Sequence, residues 1–212
     1  MNVIIVDNLV KRFGKTTVLN DVSVEFEQEK IHGIIGRNGS GKTVLMKCIC
    51  GLTPITGGTV TVNNKKIGVD CEIIPNAGVI IETPGFLPNL SGYANLKNLA
   101  SLTGKIGKDE VSTAISHVGL NPKEKKHVRK YSLGMRQRLG LAQAIMEDPD
   151  FLILDEPMNG LDKDGVKDMR QYLLDLKAQG KTILIASHSA EDIDVLCDTV
   201  CEMNKGELSI VR

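Results

Sequence analysis

The residues best suited to chemistry form one glycine-rich stretch near the N-terminus. This stretch reads Gly36-Arg37-Asn38-Gly39-Ser40-Gly41-Lys42-Thr43. Its pattern, G-x-x-x-x-G-K-[ST], is typical of a phosphate-binding loop, in which glycines let backbone N–H groups surround a polyphosphate. We expect Lys42 to reach the β- and γ-phosphates and the Thr43 hydroxyl to hold Mg²⁺.

The segments on either side of this loop have the form that phosphate binding requires. Residues 31–35 are an apolar run that predicts a buried strand, and residues 44–50 predict a helix that ends at Gly51. The N-terminus of that helix adds positive potential beside a bound phosphate. A glycine-rich turn with a chance lysine is the alternative, which the flanking strand and helix disfavour.

A pair of carboxylates ends another apolar run. Asp155 and Glu156 follow residues 151–154, which predict a buried strand. Two carboxylates at the end of such a strand are costly unless they bind a cation or water. We therefore expect Asp155 to share Mg²⁺ with Thr43 and Glu156 to orient a water molecule, with a simple strand-end turn as the alternative.

Two further side chains leave their roles open. His188 follows a predicted strand at 182–186, at the edge where ligands bind in open α/β sheets, so a functional and a structural role are equally supported. Phe13 precedes the loop strand and could stack on a nucleotide base. A lone phenylalanine is nevertheless more often a core residue.

Composition narrows the classes of function. The 26 basic and 26 acidic residues balance, which argues against a nucleic-acid-binding surface. Apolar runs are far shorter than the roughly 18 residues that cross a bilayer, and residues 1–7 do not read as a signal peptide. These features predict a cytosolic protein unless a partner holds it at a membrane. The five cysteines lack disulfide or metal spacing and are expected to be reduced core residues.

The N-terminal third mixes antiparallel strands with the loop strand. Residues 2–7 and 18–27 predict two strands joined through 10–15, and residues 57–64 predict a turn, a strand and a turn. Residues 77–81 predict another buried strand, which ends at Glu82.

The rest of the chain returns from helices to the core. Residues 83–148 show helical spacing, and Ser132 is a plausible N-cap for the last of these helices. After Asp162 comes a helix with Val166, Met169, Leu173 and Leu176, and residues 198–211 predict a hairpin. The fold class is therefore α/β: one domain, 1–212, with a core from 1–82 and 149–212 and an inserted helical subdomain at 83–148.

In their order, these motifs resemble the nucleotide-binding domain of ATP-binding cassette (ABC) transporters over essentially the whole chain. The resemblance implies that Phe13 stacks on adenine with Val18 beside it, and that residues 36–43 are the Walker A motif. It implies that Asp155 is the Walker B aspartate and that the catalytic residues are Glu156, which polarises the attacking water, and His188, which contacts the γ-phosphate. Residues 159–162 resemble the D-loop.

Two positions depart from the usual family pattern. The signature is commonly Leu-Ser-Gly-Gly-Gln, whereas residues 131–135 read Tyr-Ser-Leu-Gly-Met. The resemblance implies that Ser132 and Gly134, with Asp162, act on the nucleotide of a partner subunit. Glu82 replaces the usual Q-loop glutamine, and a carboxylate there can still approach Mg²⁺. Together the departures look like the bacterial subgroup that serves bacitracin and lantibiotic export or self-protection.

The resemblance also implies cofactors and partners. ATP and Mg²⁺ would bind in a head-to-tail homodimer or pseudo-dimer, and separate transmembrane permease subunits would hold it at the inner face of the cell membrane. The alternative is a soluble ABC ATPase that acts on DNA or ribosomes. It is disfavoured because the loop and the signature lie only about 90 residues apart, without long heptads, and because the chain has one cassette.

Overall fold

Ten strands and six α-helices make up residues 2–212, the part of the chain that this computed structural model describes. In chain order the strands are β1 (Asn2–Phe13), β2 (Thr16–Glu27), β3 (Ile31–Ile35), β4 (Gly57–Val62), β5 (Lys65–Lys66), β6 (Ala77–Ile80), β7 (Phe151–Asp155), β8 (Thr182–Ala186), β9 (Thr199–Asn204) and β10 (Glu207–Ile210). The helices are α1 (Lys42–Cys50), α2 (Gly92–Thr103), α3 (Lys108–His117), α4 (Leu133–Ile145), α5 (Lys163–Ala178) and α6 (Ala190–Leu196), with a short 3₁₀ helix at Val128–Lys130.

The first sheet is antiparallel, in the order β2-β1-β4-β5. Its first two strands are longer than predicted, and the predicted connection at 10–15 is mostly strand, with a turn at Gly14-Lys15. Lys11 explains the difference, because it lies inside the sheet as a buried residue opposite Leu19. Its ammonium donates a hydrogen bond to the Pro54 carbonyl at 2.7 Å, and this partner lowers the cost of burying a charge that the sequence alone would place on the surface.

The second sheet brings the chemical residues to one edge. Its order is β10-β9-β3-β8-β7-β6, and β9, β3, β8, β7 and β6 run parallel. The carboxyl ends of β3, β7 and β8 therefore share one edge, where ligands bind in open α/β sheets. The predicted terminal hairpin is confirmed, but its first strand also pairs in parallel with β3.

Both faces of the parallel sheet are buried. Along β7, Leu152 and Leu154 pack with the helices α2 to α6, whereas Phe151 and Ile153 pack with α1 and the antiparallel sheet. This two-sided burial accounts for the continuous apolar run of the strand. Four of the cysteines are buried as predicted, and Cys71 is half-buried.

The helices α2, α3 and α4 lie within residues 83–148, as the helical spacing predicts. Ser132 is the N-cap of α4, as predicted, and its hydroxyl accepts a hydrogen bond from the Met135 amide at 3.1 Å. The division of the chain into a core and a helical subdomain stays a prediction. Within residues 2–212, no helix is both long enough and apolar enough to cross a membrane.

Candidate nucleotide site

The glycine-rich loop connects β3 to α1 and is pinned from behind by the terminal hairpin. Gly36 has a φ of 145°, and a Cβ at this position would lie 2.3 Å from the Met203 carbonyl oxygen. Gly41 is the N-cap of α1, with a φ of 116°. Residues with a side chain rarely adopt either backbone conformation, so the loop requires glycine at these two positions of the motif.

Lys42 and Thr43 open α1 and face the acidic end of β7. The Lys42 side chain is 6% exposed, and its Nζ donates to the Gly36 carbonyl at 2.7 Å. The Thr43 hydroxyl donates to Asp155 Oδ2 at 2.7 Å. The structure thus brings together the two residues that the sequence assigned to Mg²⁺.

Asp155 lies where a carboxylate is expensive to ionise. Burial raises the pKa of Asp155 above its ordinary value, and the negative charges of Glu156 and Glu82 add to that rise. The hydrogen bond from Thr43 and the charge of Lys42 oppose it. A bound cation would favour the ionised form. The oxygen donors of Thr43 and Asp155 fit Mg²⁺, which takes one or two protein ligands and completes its shell with water and phosphate.

A cleft of about 300 Å³ opens in front of the loop. It is lined by Val18, residues 37–44, Asp155 and Glu156. The Ser40 hydroxyl is buried there and has no hydrogen-bond partner within residues 2–212. A buried polar atom without a partner is costly, and a polar ligand such as phosphate would satisfy it.

Glu156 and His188 meet at the ends of β7 and β8. His188 Nδ1 lies 2.8 Å from Glu156 Oε2. Glu156 has a φ of 50°, and its amide donates to the Ala186 carbonyl at 2.9 Å, which turns the residue back toward β8. The His188 side chain is exposed, so the carboxylate and the imidazole together can contact a ligand or a water molecule at this edge.

Phe13 ends β1 on the surface of the antiparallel sheet. Its side chain is 52% exposed, so the expectation of a core phenylalanine is wrong. Lys11 Nζ lies 4.5 Å from the ring centroid. The exposed ring is available for stacking, which is the other role that the sequence left open.

The signature and the D-loop contact each other within this chain. Gly134 is buried, and a Cβ there would lie 2.6 Å from the Gly160 carbonyl oxygen. Ser132 is exposed at the start of α4, and Asp162 caps α5 by accepting from the Gly165 amide at 3.1 Å. The action of Ser132, Gly134 and Asp162 on a partner's nucleotide stays a prediction.

Glu82 follows β6 with a φ of 61° and forms an ion pair with α1. Its Oε1 lies 2.7 Å from Lys47 Nζ. Its charge nevertheless contributes to the raised pKa of Asp155, so it acts at the edge of the same site. A role for Glu82 beside Mg²⁺ stays a prediction.

Sequence reasoning missed two contacts at this site. The buried Gln137 donates from Nε2 to the Glu156 carbonyl at 3.2 Å and so ties α4 to the end of β7. Its signal was a polar residue on the apolar stripe of a helix, three residues after Gly134 and four before Leu141. The pairing of Lys47 with Glu82 had no comparable signal, because both residues read as surface charges.

Known proteins resemble this chain in sequence and in structure. The model of the ABC transporter family matches residues 19–159. The bacitracin transport ATP-binding protein BcrA of Enterococcus faecalis is 44% identical over 209 residues, which cover 97% of this chain and 68% of that protein. The lantibiotic transport ATP-binding protein SrtF of Streptococcus pyogenes is 35% identical over 207 residues, covering 98% of this chain and 89% of the relative.

Two solved structures share the fold. A structure of the ATP-binding subunit of an ABC transporter has a TM-score of 0.86 at 23% identity, covering 99% of this chain and 90% of that one. The dimeric structure of a bacterial ABC transporter cassette has a TM-score of 0.87 at 20% identity, covering 99% of both chains. At these identities the likeness is one of fold, and it confirms the predicted α/β class.

Proposed function

This chain belongs to the ABC transporter family, and on that premise we propose that it is the ATP-hydrolysing motor subunit of a bacterial exporter or self-protection system for peptide antibiotics. One observation carries the hydrolytic part. The Thr43–Asp155 contact at 2.7 Å and the Glu156–His188 contact at 2.8 Å lie on one edge of the parallel sheet. The named functions of the bacitracin and lantibiotic relatives support the class of cargo.

Phosphoryl transfer requires positioning and charge stabilisation more than covalent chemistry by the protein. Lys42 supplies the cation that faces the β- and γ-phosphates of ATP. Glu156 orients the attacking water, and His188 contacts the γ-phosphate from the next strand. Thr43 and Asp155 would hold Mg²⁺, which when bound neutralises charge on the phosphate oxygens.

The nucleotide base is held outside the loop. We assign adenine stacking to Phe13, because its ring is exposed at the end of β1. Val18 supports this assignment, since it lines the same cleft as the phosphate-binding loop.

Two copies of the chain, or this chain and a similar one, are proposed to close head-to-tail around ATP. The exposed Ser132 at the start of α4 would meet the γ-phosphate bound by the partner, together with Gly134 and Asp162. The dimeric structure of a cassette of the same fold supports the association of two copies.

Separate permease subunits are proposed to hold the motor at the inner face of the cell membrane. The lining of a cleft of about 670 Å³ beside β6 and α2 includes two exposed apolar side chains, Ile73 and Leu102. Exposed apolar clefts often mark contacts with another protein. The relatives described above are transport proteins by name, which favours this partner over DNA or ribosomes.

Replacement of the acid that orients water tests the hydrolytic mechanism. Glu156→Gln keeps the shape of the side chain but removes its basicity, so turnover should fall by about 10²-fold or more while ATP binding is kept. The variant should accumulate as an ATP-bound dimer on size-exclusion chromatography. Glu207→Gln, on the exposed strand β10, is the matched control and should behave as wild type.

Two outcomes would contradict the proposal. A folded wild-type chain that does not hydrolyse Mg²⁺-ATP, alone or with its permease, would refute the ATPase assignment. Normal turnover by Glu156→Gln would refute the role of that residue. The cargo class is tested by co-expressing the chain with a candidate multi-span permease subunit and measuring resistance to bacitracin and to a lantibiotic.

A further inference from the structure

An ion-paired cluster joins α5 to α6 and lines the same cleft as the candidate catalytic residues. Arg170 Nε donates to Asp192 Oδ1 at 2.8 Å, and a second guanidinium nitrogen binds the same oxygen. The third nitrogen donates to Glu191 Oε1 at 2.8 Å. Asp192 is only 3% exposed and the Arg170 side chain 16%, so the pair is largely withdrawn from solvent.

Each partner lies a short distance along the chain from a candidate catalytic residue. Asp192 is in the first turn of α6, four residues after His188. The intervening Ser189 caps α6 by accepting from the Asp192 amide at 3.3 Å. Arg170 lies on α5, the helix that begins after the loop following Glu156.

These four residues form two contacting pairs that line the same cleft. Glu156 and His188 meet on one side through the 2.8 Å contact, and Arg170 and Asp192 meet on the other. The two helices and their preceding loops connect the sides. The cleft has a volume of about 660 Å³, so side chains do not fill the space between the two pairs.

Stability alone is a weak reason for such a pair. A buried ion pair loses about as much free energy on desolvation as it gains from attraction, and apolar residues of similar size often do as well. A guanidinium that donates several hydrogen bonds instead fixes distance and orientation. The buried Ile193 and Leu196 hold α6 in the core, and the hydrogen bonds of Arg170 fix the distance and orientation between the start of α6 and α5.

We propose that Arg170 and Asp192 are positioning residues for ATP hydrolysis: their pair holds α6 against α5 so that His188 stays in contact with Glu156. The inference rests on the proposed ATPase function. Since α5 is capped by Asp162 in the D-loop, the same pair links the position of His188 to the proposed dimer interface.

Steady-state kinetics and nucleotide titration of the full chain test the pair. Arg170→Met and Asp192→Asn should each lower kcat by about 10-fold or more, because small displacements of catalytic groups are costly, while the Kd for ATP changes less than about twofold. Arg170→Lys keeps the charge and should recover part of the loss. The double variant should lose little more than either single variant, as expected for residues that act as one unit.

A second ion pair provides the matched control. Lys177, in the last turn of α5, pairs with Asp198, just after α6, so it joins the same two parts of the chain away from the candidate catalytic residues. Lys177→Met should lower Tm by a similar amount but leave kcat near that of wild type. A second readout does not depend on turnover: the imidazole nitrogen resonances of His188 should shift in Arg170→Met and not in Lys177→Met.

The proposal is overturned if Arg170→Met and Asp192→Asn keep the wild-type kcat, or lose no more than Lys177→Met at equal loss of Tm. If Arg170→Met does not fold, Asp192→Asn and Arg170→Lys decide by the same criteria. A wild-type chain without ATPase activity would refute the proposed function, and the His188 resonances would then decide the positioning role. If Glu156→Gln loses activity while Arg170→Met and Asp192→Asn keep it, only the inference about this pair is refuted.

Discussion

The phosphate-binding loop and the signature helix are both helix starts, but they differ in how their polar groups are satisfied. Lys42 and Thr43 are turned inward and bond to Gly36 and Asp155 of the same chain. Ser132 is exposed, and its hydroxyl only caps its own helix. The phosphate-binding half of the proposed nucleotide site is thus assembled within this chain, whereas its proposed second half, at Ser132, faces outward. Substitutions in the phosphate-binding loop should abolish ATP binding, whereas substitutions at the start of the signature helix should leave ATP binding intact.

The largest effect is expected from Lys42→Ala. The change removes the cation that faces the phosphates and should lower turnover by about 10³-fold and weaken ATP binding severely. ATPase assays and titration with a fluorescent nucleotide measure both. Lys65→Ala, an exposed lysine on β5, is the control. Near-normal hydrolysis by Lys42→Ala would show that the loop does not bind the phosphates.

Ser132→Arg should impair only the outward-facing half of the proposed site. A bulky cation at the start of α4 should leave ATP binding by the monomer intact and lower hydrolysis by about 10²-fold, because the closing surface no longer fits. Mixing this variant with Lys42→Ala tests whether the two halves act across a dimer interface. A head-to-tail pair of the two has one site with both lesions and one site with neither, so partial activity should return. No recovery in demonstrated heterodimers would argue against action across the interface.

A smaller effect is expected at Phe13, which we assign to the same half of the site as the phosphate-binding loop but which is itself exposed. Phe13→Ala should weaken ATP binding by about 10-fold, the equivalent of one lost stacking contact, with kcat nearly unchanged. Phe13→Tyr keeps the ring and should bind as wild type. Equal affinity of all three proteins would remove Phe13 from the site.

The smallest effect on nucleotide binding is expected at Glu82, which is exposed and pairs with Lys47 of α1. Glu82→Ala should change ATP affinity only a few-fold, because an exposed ion pair contributes little, but should impair transport with the permease. Glu82→Gln restores the commoner family residue and should change the ATPase rate modestly. Severe loss of ATP affinity in Glu82→Ala, with transport per ATP unchanged, would make Glu82 a plain nucleotide-site residue.

The parts of this site that could be predicted from sequence are those set by local rules. The loop spacing, the apolar runs of β3, β7 and β8, and the shared edge of parallel strands together predict that Thr43, Asp155, Glu156 and His188 converge. The contacts Thr43–Asp155 and Glu156–His188 agree with that prediction.

The parts that could not be predicted depend on partners far away in the chain. The sequence of α6, Ala-Glu-Asp-Ile-Asp-Val-Leu, is typical of a polar loop. In the structure Asp192 and Glu191 of this helix are paired with Arg170 of α5. The sequence predicts that Lys11 is a surface residue, but in the structure its ammonium donates a hydrogen bond to the Pro54 carbonyl. In both cases a charge is satisfied by a residue that no local pattern identifies.

The position of β3 in its sheet has a consequence for synthesis. The strand that leads into the phosphate-binding loop lies between β8 and β9, and Gly36 packs against Met203. A ribosome has therefore made nearly the whole chain before the neighbours of β3 exist, whereas β1 and β2 pair as soon as their hairpin emerges. Nascent chains that stop before β9 should carry the complete glycine motif and still fail to bind ATP. The glycine motif of the nucleotide pocket is thus translated early, but the pocket can form only after β8 and β9 have been translated.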